Sequence, residues 1–205
     1  QVPSAAIAGA RISWRATARV LSSKAVFPII MVGLGGSIFG GLSSFQTSYA
    51  AARSVDYSLF FLGFMGAAIA GRMVIAGWVV KRDPLRASCL LSGLTLGSIL
   101  MFGYGVNDSV SYLMAAVMLG IGYGLTYSVI NGLAANEAPA GTLSQALLLF
   151  SLAYFIGVFG FPFVAGKIIV EYGMTTLLHT VLMISLLNWL ITAGRLLWRR
   201  IFATR

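Results

Sequence analysis

The sequence predicts an all-α, polytopic membrane protein with six transmembrane helices. Three observations lead there. Hydrophobic residues make up 59% of the 205 residues and charged residues only 9%, whereas a soluble domain carries about 25% charged residues. The mean hydropathy is +0.91, so a soluble fold of this size would lack the polar side chains to cover its surface. Apolar runs also recur at about the 20 residues that a helix needs to cross a bilayer. Helices follow because an isolated span must satisfy its own backbone groups in lipid. The runs lack the alternating segments of about 10 residues that mark a transmembrane β-barrel.

Residues 1–24 read as a basic cytoplasmic linker. They open on QVPSAAIAGARIS, without Met, which reads as the end of a linker in a longer polypeptide. Arg11, Arg15 and Arg19 recur every fourth residue, so a helix would carry them as one stripe. That stripe suits either the inner leaflet or a partner-binding helix. The apolar residues between these charges do not form a signal-peptide core.

The transmembrane domain covers 25–196, with spans near 25–47, 58–80, 85–105, 110–133, 144–168 and 174–196. The joints ARSVDY, KRDPLR, GVNDSV, ANEAPAGT and VEYGM separate them, and residues 197–205 form a basic tail. Six spans put both termini on one side with the second and fourth joints. That side holds Arg11, Arg15, Arg19, Lys24, Lys81, Arg82, Arg86, Arg195, Arg199, Arg200 and Arg205, while the other holds Arg53 and Lys167. The positive-inside rule makes the first side cytoplasmic, in a plasma or bacterial inner membrane. The net charge of +9 is thus a topology signal plus contact with anionic lipid, and requires no nucleic acid. Cys89, being alone, forms no internal disulfide. One histidine and five dispersed acids, with no metal-ligand or Walker spacing, point away from an enzyme and from any cofactor.

Several segments carry a resemblance. Gly71 to Arg82, GRMVIAGWVVKR, resembles the second-to-third-span junction of major facilitator superfamily transporters, where G-R is followed by G-x-x-x-D-R and a basic residue after a tight turn. Gly77, Arg82 and Arg86 match, Lys81 stands where the family has Asp, and Pro84 stands near its glycine. Gly77, Lys81, Arg82, Asp83 and Arg86 therefore form a motif-like cytoplasmic loop, altered at the place of the family's charge relay. Residues 120–127, GIGYGLTY, are similar to the fourth span of the family's C-terminal half, and residues 136–166 to the joint and fifth span after it.

Such transporters have twelve spans in two halves, each built from 3+3 inverted repeats. The resemblance implies that this chain is a C-terminal six-helix half with that repeat. VGLGGSI at 32–38 and LGIGYGL at 119–125 are a matching internal echo. The implied partner is an N-terminal half in the same polypeptide, or a second copy of this chain.

Lipid offers helices no hydrophobic drive to associate, so small residues that let backbones approach matter instead. Gly36 and Gly40, Gly93 and Gly97, and Gly120 and Gly124 have the required four-residue spacing. Gly157 and Gly160 precede Pro162 in the fifth span, and a kink is expected there, as a gate or as static geometry.

Arg72 is the charge that lies well inside a span, away from either end. It lies ~13 Å above the boundary at Lys81 at 1.5 Å per residue, where an arginine must face protein or water. Two readings stand: it meets an anionic substrate or a carboxylate of the other half in a central cavity, or it snorkels and bonds helix ends. Tyr123, Tyr127 and Asn131 share one face of the fourth span, and Phe39, Ser43 and Gln46 one face of the first. The family lines its cavity with these two helices, so both faces are candidate substrate contacts, joined by Ser151 and Tyr154 on the fifth span. Aromatic rings with a few hydroxyls and amides suit an amphipathic organic solute, though ordinary packing is the alternative. No span holds Asp or Glu, so no carboxylate here can carry a proton through a pathway. His179 reads as interfacial, and Asn188 as bonded to a neighbouring helix.

The resulting expectation is a secondary-active or facilitative transporter of a small organic solute working by alternating access, with efflux-type and sugar- or drug-like carriers nearest in appearance and the substrate class open. The alternative is a non-transporting six-helix subunit that supports assembly of a larger membrane complex.

Overall fold

The computed structural model describes residues 13–74, 77 and 82–203. These are helical throughout apart from short joints. Helix α1 is Trp14–Leu21, α2 Val26–Ser43, α3 Gln46–Ala51, α4 Ser58–Val74, α5 Pro84–Leu100, α6 Ser109–Asn136, α7 Leu143–Phe155 and α8 Phe161–Ala203. Single π-helical turns, Met101–Gly105 and Ile156–Gly160, extend α5 and join α7 to α8. By length and composition Val26–Ser43, Pro84–Gly105, Ser109–Asn136 and the run Leu143–Ile201 can each cross a membrane, and Ser58–Val74 is a shorter apolar helix.

Gly173 breaks α8, with φ 85° and ψ 168°. A β-carbon at Gly41 would touch both the Phe161 ring, at 2.6 Å, and the Val181 side chain, at 3.4 Å. An unbroken helix would hold residues 161 and 181 about 30 Å apart. The chain therefore folds back at Gly173, at the joint expected from VEYGM, and α8 is two antiparallel arms.

The joints are built from local chemistry. Asp83 caps α5, accepting from the N–H groups of Leu85 and Arg86 at 3.0 and 3.1 Å, with Pro84 in the first turn. Asp108 caps α6 in a reciprocal pair with Ser111. Gly141, at φ 75°, supplies the left-handed residue before α7.

Packing follows the small residues. α4 and α5 lie against α6, α8 lies against α2 and α5, and α2 lies against α7 and the π turn after it. A β-carbon at Gly120 would strike the Phe64 carbonyl, and one at Gly157 the Gly33 carbonyl. The Gly36–Gly40 and Gly120–Gly124 pairs thus seat backbones as expected. Gly93 and Gly97 instead meet side chains, Trp189 and Met118.

Two span ends differ from expectation. The first span ends at Ser43, and α3 continues it as a separate helix. The last helix runs to Ala203, so most of the 197–205 tail is helical. The linker holds α1, whose Thr17 hydroxyl accepts from Gln145 Nε2 at 3.0 Å. Arg15 and Arg19 are exposed on it, while Arg11 lies outside the described residues.

Candidate functional site

Rings from four helices meet in the middle of the bundle. Phe39 of α2 stacks on Phe64 of α4 at 4.9 Å and on Tyr123 of α6 at 5.3 Å. One helical turn further along α6, Tyr127 meets Phe150 and Tyr154 of α7 edge-on, at 5.5 and 5.1 Å. Tyr123, Tyr127 and Tyr154 are neighbours, and the Arg72 guanidinium lies in the same region of the bundle as Tyr127.

Arg72 is exposed, and Tyr127, Asn131, Ser151 and Tyr154 are half-buried. This face of the bundle is therefore open and carries a cation, phenols, an amide and a hydroxyl. Ser151 sits one turn before Tyr154 on α7. Ser43 is half-buried at the far end of α2.

Gln46 is placed elsewhere, which corrects the expectation that it shares a lining face with Phe39 and Ser43. It starts α3, is 1% exposed, and its Oε1 accepts from the Tyr112 hydroxyl at 2.7 Å. The chain turns between Ser43 and Gln46, so helical spacing no longer holds across that pair. Gln46 belongs to a closed cluster with Tyr49, Phe60, Phe102 and Tyr112.

Beneath Tyr123 is a cavity of about 10 Å³ lined by Ser92, Thr95, Thr126 and Asn188 among others, enough for roughly one water. Asn188 Oδ1 and the Tyr123 hydroxyl are buried without a well-formed hydrogen bond among the described residues. Asn188 thus faces this cavity and does not bond a neighbouring helix as expected. Phe64 and Phe150 complete the aromatic wall; both contacts cross between helices, so no stripe on a single helix signals them.

At the basic end of the bundle, Arg195 Nη2 donates to Glu137 Oε1 and Arg199 Nη2 meets Asp83 Oδ2, both at 2.6 Å. These tie the last arm of α8 to the end of α6 and the start of α5. The Arg199 guanidinium, foremost, holds the Asp83 carboxyl below its ordinary range, with help from backbone N–H groups. In the motif-like loop, Asp83 is thus both cap and ion-pair partner, Gly77 and Arg86 are exposed, and Arg82 has an interaction of its own. Lys81 lies outside the described residues. At the opposite end the Arg53 guanidinium lies 4.0 Å from the Tyr49 ring centroid, and exposed His179 shares a 3.0 Å hydrogen bond with Tyr104.

Gly157 and Gly160 form part of the π turn that leads into Pro162. The expected irregularity is a widened turn. Among the described residues no three His, Cys, Asp or Glu side chains come together in a metal-ligand group.

Packed helices long and apolar enough to cross a bilayer fit a multi-pass membrane protein. A family model described as Major Facilitator Superfamily matches residues 2–162, and the chain belongs to that family of membrane transporters. No curated protein matches the sequence.

Proposed function

We propose that the chain is the C-terminal six-span half of a carrier that moves a small organic solute by alternating access. The observation that carries this reading is the grouping of Arg72, Tyr127 and Tyr154 on one open face. A guanidinium near phenols on one face suits an amphipathic solute with an anionic or strongly accepting group.

The packing supports a 3+3 inverted repeat. Exchanging the first three spans with the last three turns the α2–α7 contact into the α6–α4 contact. It likewise turns α5–α6 into α8–α2, and all four pairs are packed. Gly33 and Gly120, equivalent in the internal echo, both face backbone of the exchanged partner helix, at Ala153 and Phe64. The large apolar side chains exposed on α4 and α7, Leu62, Met65, Ile69, Leu148, Leu152 and Phe155, suit burial against an N-terminal half or a second copy. The end bearing Lys24, Arg82, Arg86, Arg195 and Arg199 is assigned to the cytoplasm, with both termini, in a plasma or inner membrane.

The test is cysteine accessibility in the whole natural polypeptide, in a Cys89→Ser background. Tyr127→Cys and Asn131→Cys should react with a membrane-impermeant maleimide, more slowly when a transported solute is present. Complete protection of both would instead favour a non-transporting scaffold. In proteoliposomes, Arg72→Lys and Arg72→Ala should weaken solute affinity at normal expression; unchanged affinity in both removes Arg72 from the site.

A further inference from the structure

At the basic end lies a second cavity, a crevice of about 910 Å³ between α2, α5, α6 and the last arm of α8. Its walls divide by chemistry. Phe27, Leu85, Leu133, Leu190, Ile191 and Trp198 make it largely apolar, and Lys24, Arg195 and Arg199 make it cationic, against one lining carboxylate, Glu137. That carboxylate is occupied by Arg195. Lys24 is exposed, and no carboxylate pairs with it among the described residues. Arg199 keeps 44% of its side chain exposed although it pairs with Asp83. Leu190 is 50% and Trp198 67% exposed, so the apolar wall continues onto the outer surface of α8.

The space has a structural cause. Gly194 lines the crevice, and a β-carbon there would meet nothing within 4 Å. A side chain at 194 would fill room that this sequence leaves open.

We propose that this crevice is a binding site for an anionic phospholipid, with the headgroup phosphate between Lys24 and Arg199 and the acyl chains along Phe27, Leu190 and Trp198. Charge complementarity selects the occupant. Basic pockets between helices at the membrane boundary take anionic headgroups, and a bare phosphate would leave the apolar wall without a partner. An exposed tryptophan beside two cations is the arrangement found at the headgroup level. The site lies apart from the Arg72 face and stands whether or not that face binds solute.

The experiment is native mass spectrometry of the whole natural polypeptide with phosphatidylglycerol and phosphatidylcholine in equal amounts. Retention of phosphatidylglycerol over phosphatidylcholine is expected. Lys24→Gln should cut that preference about fivefold, the effect of one basic residue near an anionic surface. Gly194→Leu, which narrows the crevice and leaves every charge in place, should weaken retention while the protein keeps its Tm. Arg53→Gln, at the opposite end, should leave the preference intact. Equal retention of the two lipids would overturn the proposal, as would an unchanged preference in both Lys24→Gln and Gly194→Leu. Displacement of the lipid by millimolar inorganic phosphate would mark a site for free phosphate and overturn it as well. A photoreactive residue at 190 should cross-link to phospholipid; capture of residues 1–12 or of another polypeptide would sink the assignment.

Discussion

The carbonyl of Val158 faces the Cα of Gly40, so that a β-carbon at Gly40 would collide with it. Residue 162 is proline and offers no N–H to the carbonyl four residues before it. The helix widens into a π turn at Ile156–Gly160, and the side of α2 that receives it has no side chain. Kink and seam are one feature. In lipid, where helices associate through close backbone packing, that contact holds α2 and α7 together.

Substituting that seam should therefore be costly. Gly40→Leu and Gly157→Leu are each expected to lower stability by about 1–3 kcal/mol or more through overpacking. Thermal unfolding in detergent reads the loss. Gly132→Ala, where a β-carbon meets nothing within 4 Å, should hold or raise the Tm, since alanine favours a helix interior over glycine; equal losses at all three positions would refute the seam.

The Glu137–Arg195 pair is mostly buried, with side chains 17% and 13% exposed. Glu137→Gln leaves the guanidinium without its counter-charge, over the Phe27 ring at 4.7 Å. Breaking such a pair from one side costs about 3–5 kcal/mol. The double variant Glu137→Gln with Arg195→Leu should recover most of the loss, because no buried charge is then left over.

Acid should loosen the α5–α8 contact. The Asp83 carboxyl is held below its ordinary value, so its folded pKa is lower than its unfolded pKa of about 3.9. Its stabilisation is complete above the unfolded value and lost as pH falls through the folded one. Both side chains are partly exposed, so the effect is about 0–1 kcal/mol. Melting curves from pH 7 to pH 3 should fall more steeply for the natural protein than for Arg199→Gln, and parallel curves would exclude the linkage.

At the other end, the buried Tyr49 hydroxyl donates to the Phe102 carbonyl, inside the other π turn, at 2.5 Å. Tyr49→Phe leaves that buried acceptor unmet and should cost about 1–3 kcal/mol. Tyr104→Phe, on an exposed tyrosine that bonds His179, should cost less than half as much in the same unfolding assay.

The sequence by itself determined that this is a multi-pass helical membrane protein, because solvent and span length act on composition along the chain and need no neighbour; its likeness to the major facilitator superfamily lay in the segments 71–82, 120–127 and 136–166. Glycine spacing told where backbones approach at Gly36–Gly40 and Gly120–Gly124. Single-helix periodicity also put Tyr123 and Tyr127 on one face. It failed where the chain turned, and so misplaced Gln46. Only the tertiary structure decided what depends on two helices at once: Phe64 and Phe150 in the aromatic wall, Asn188 at the small polar cavity, the ion pairs from Arg195 and Arg199, and the crevice over Gly194. Those contacts join residues dozens of positions apart, and their geometry is set by how closely helices pack.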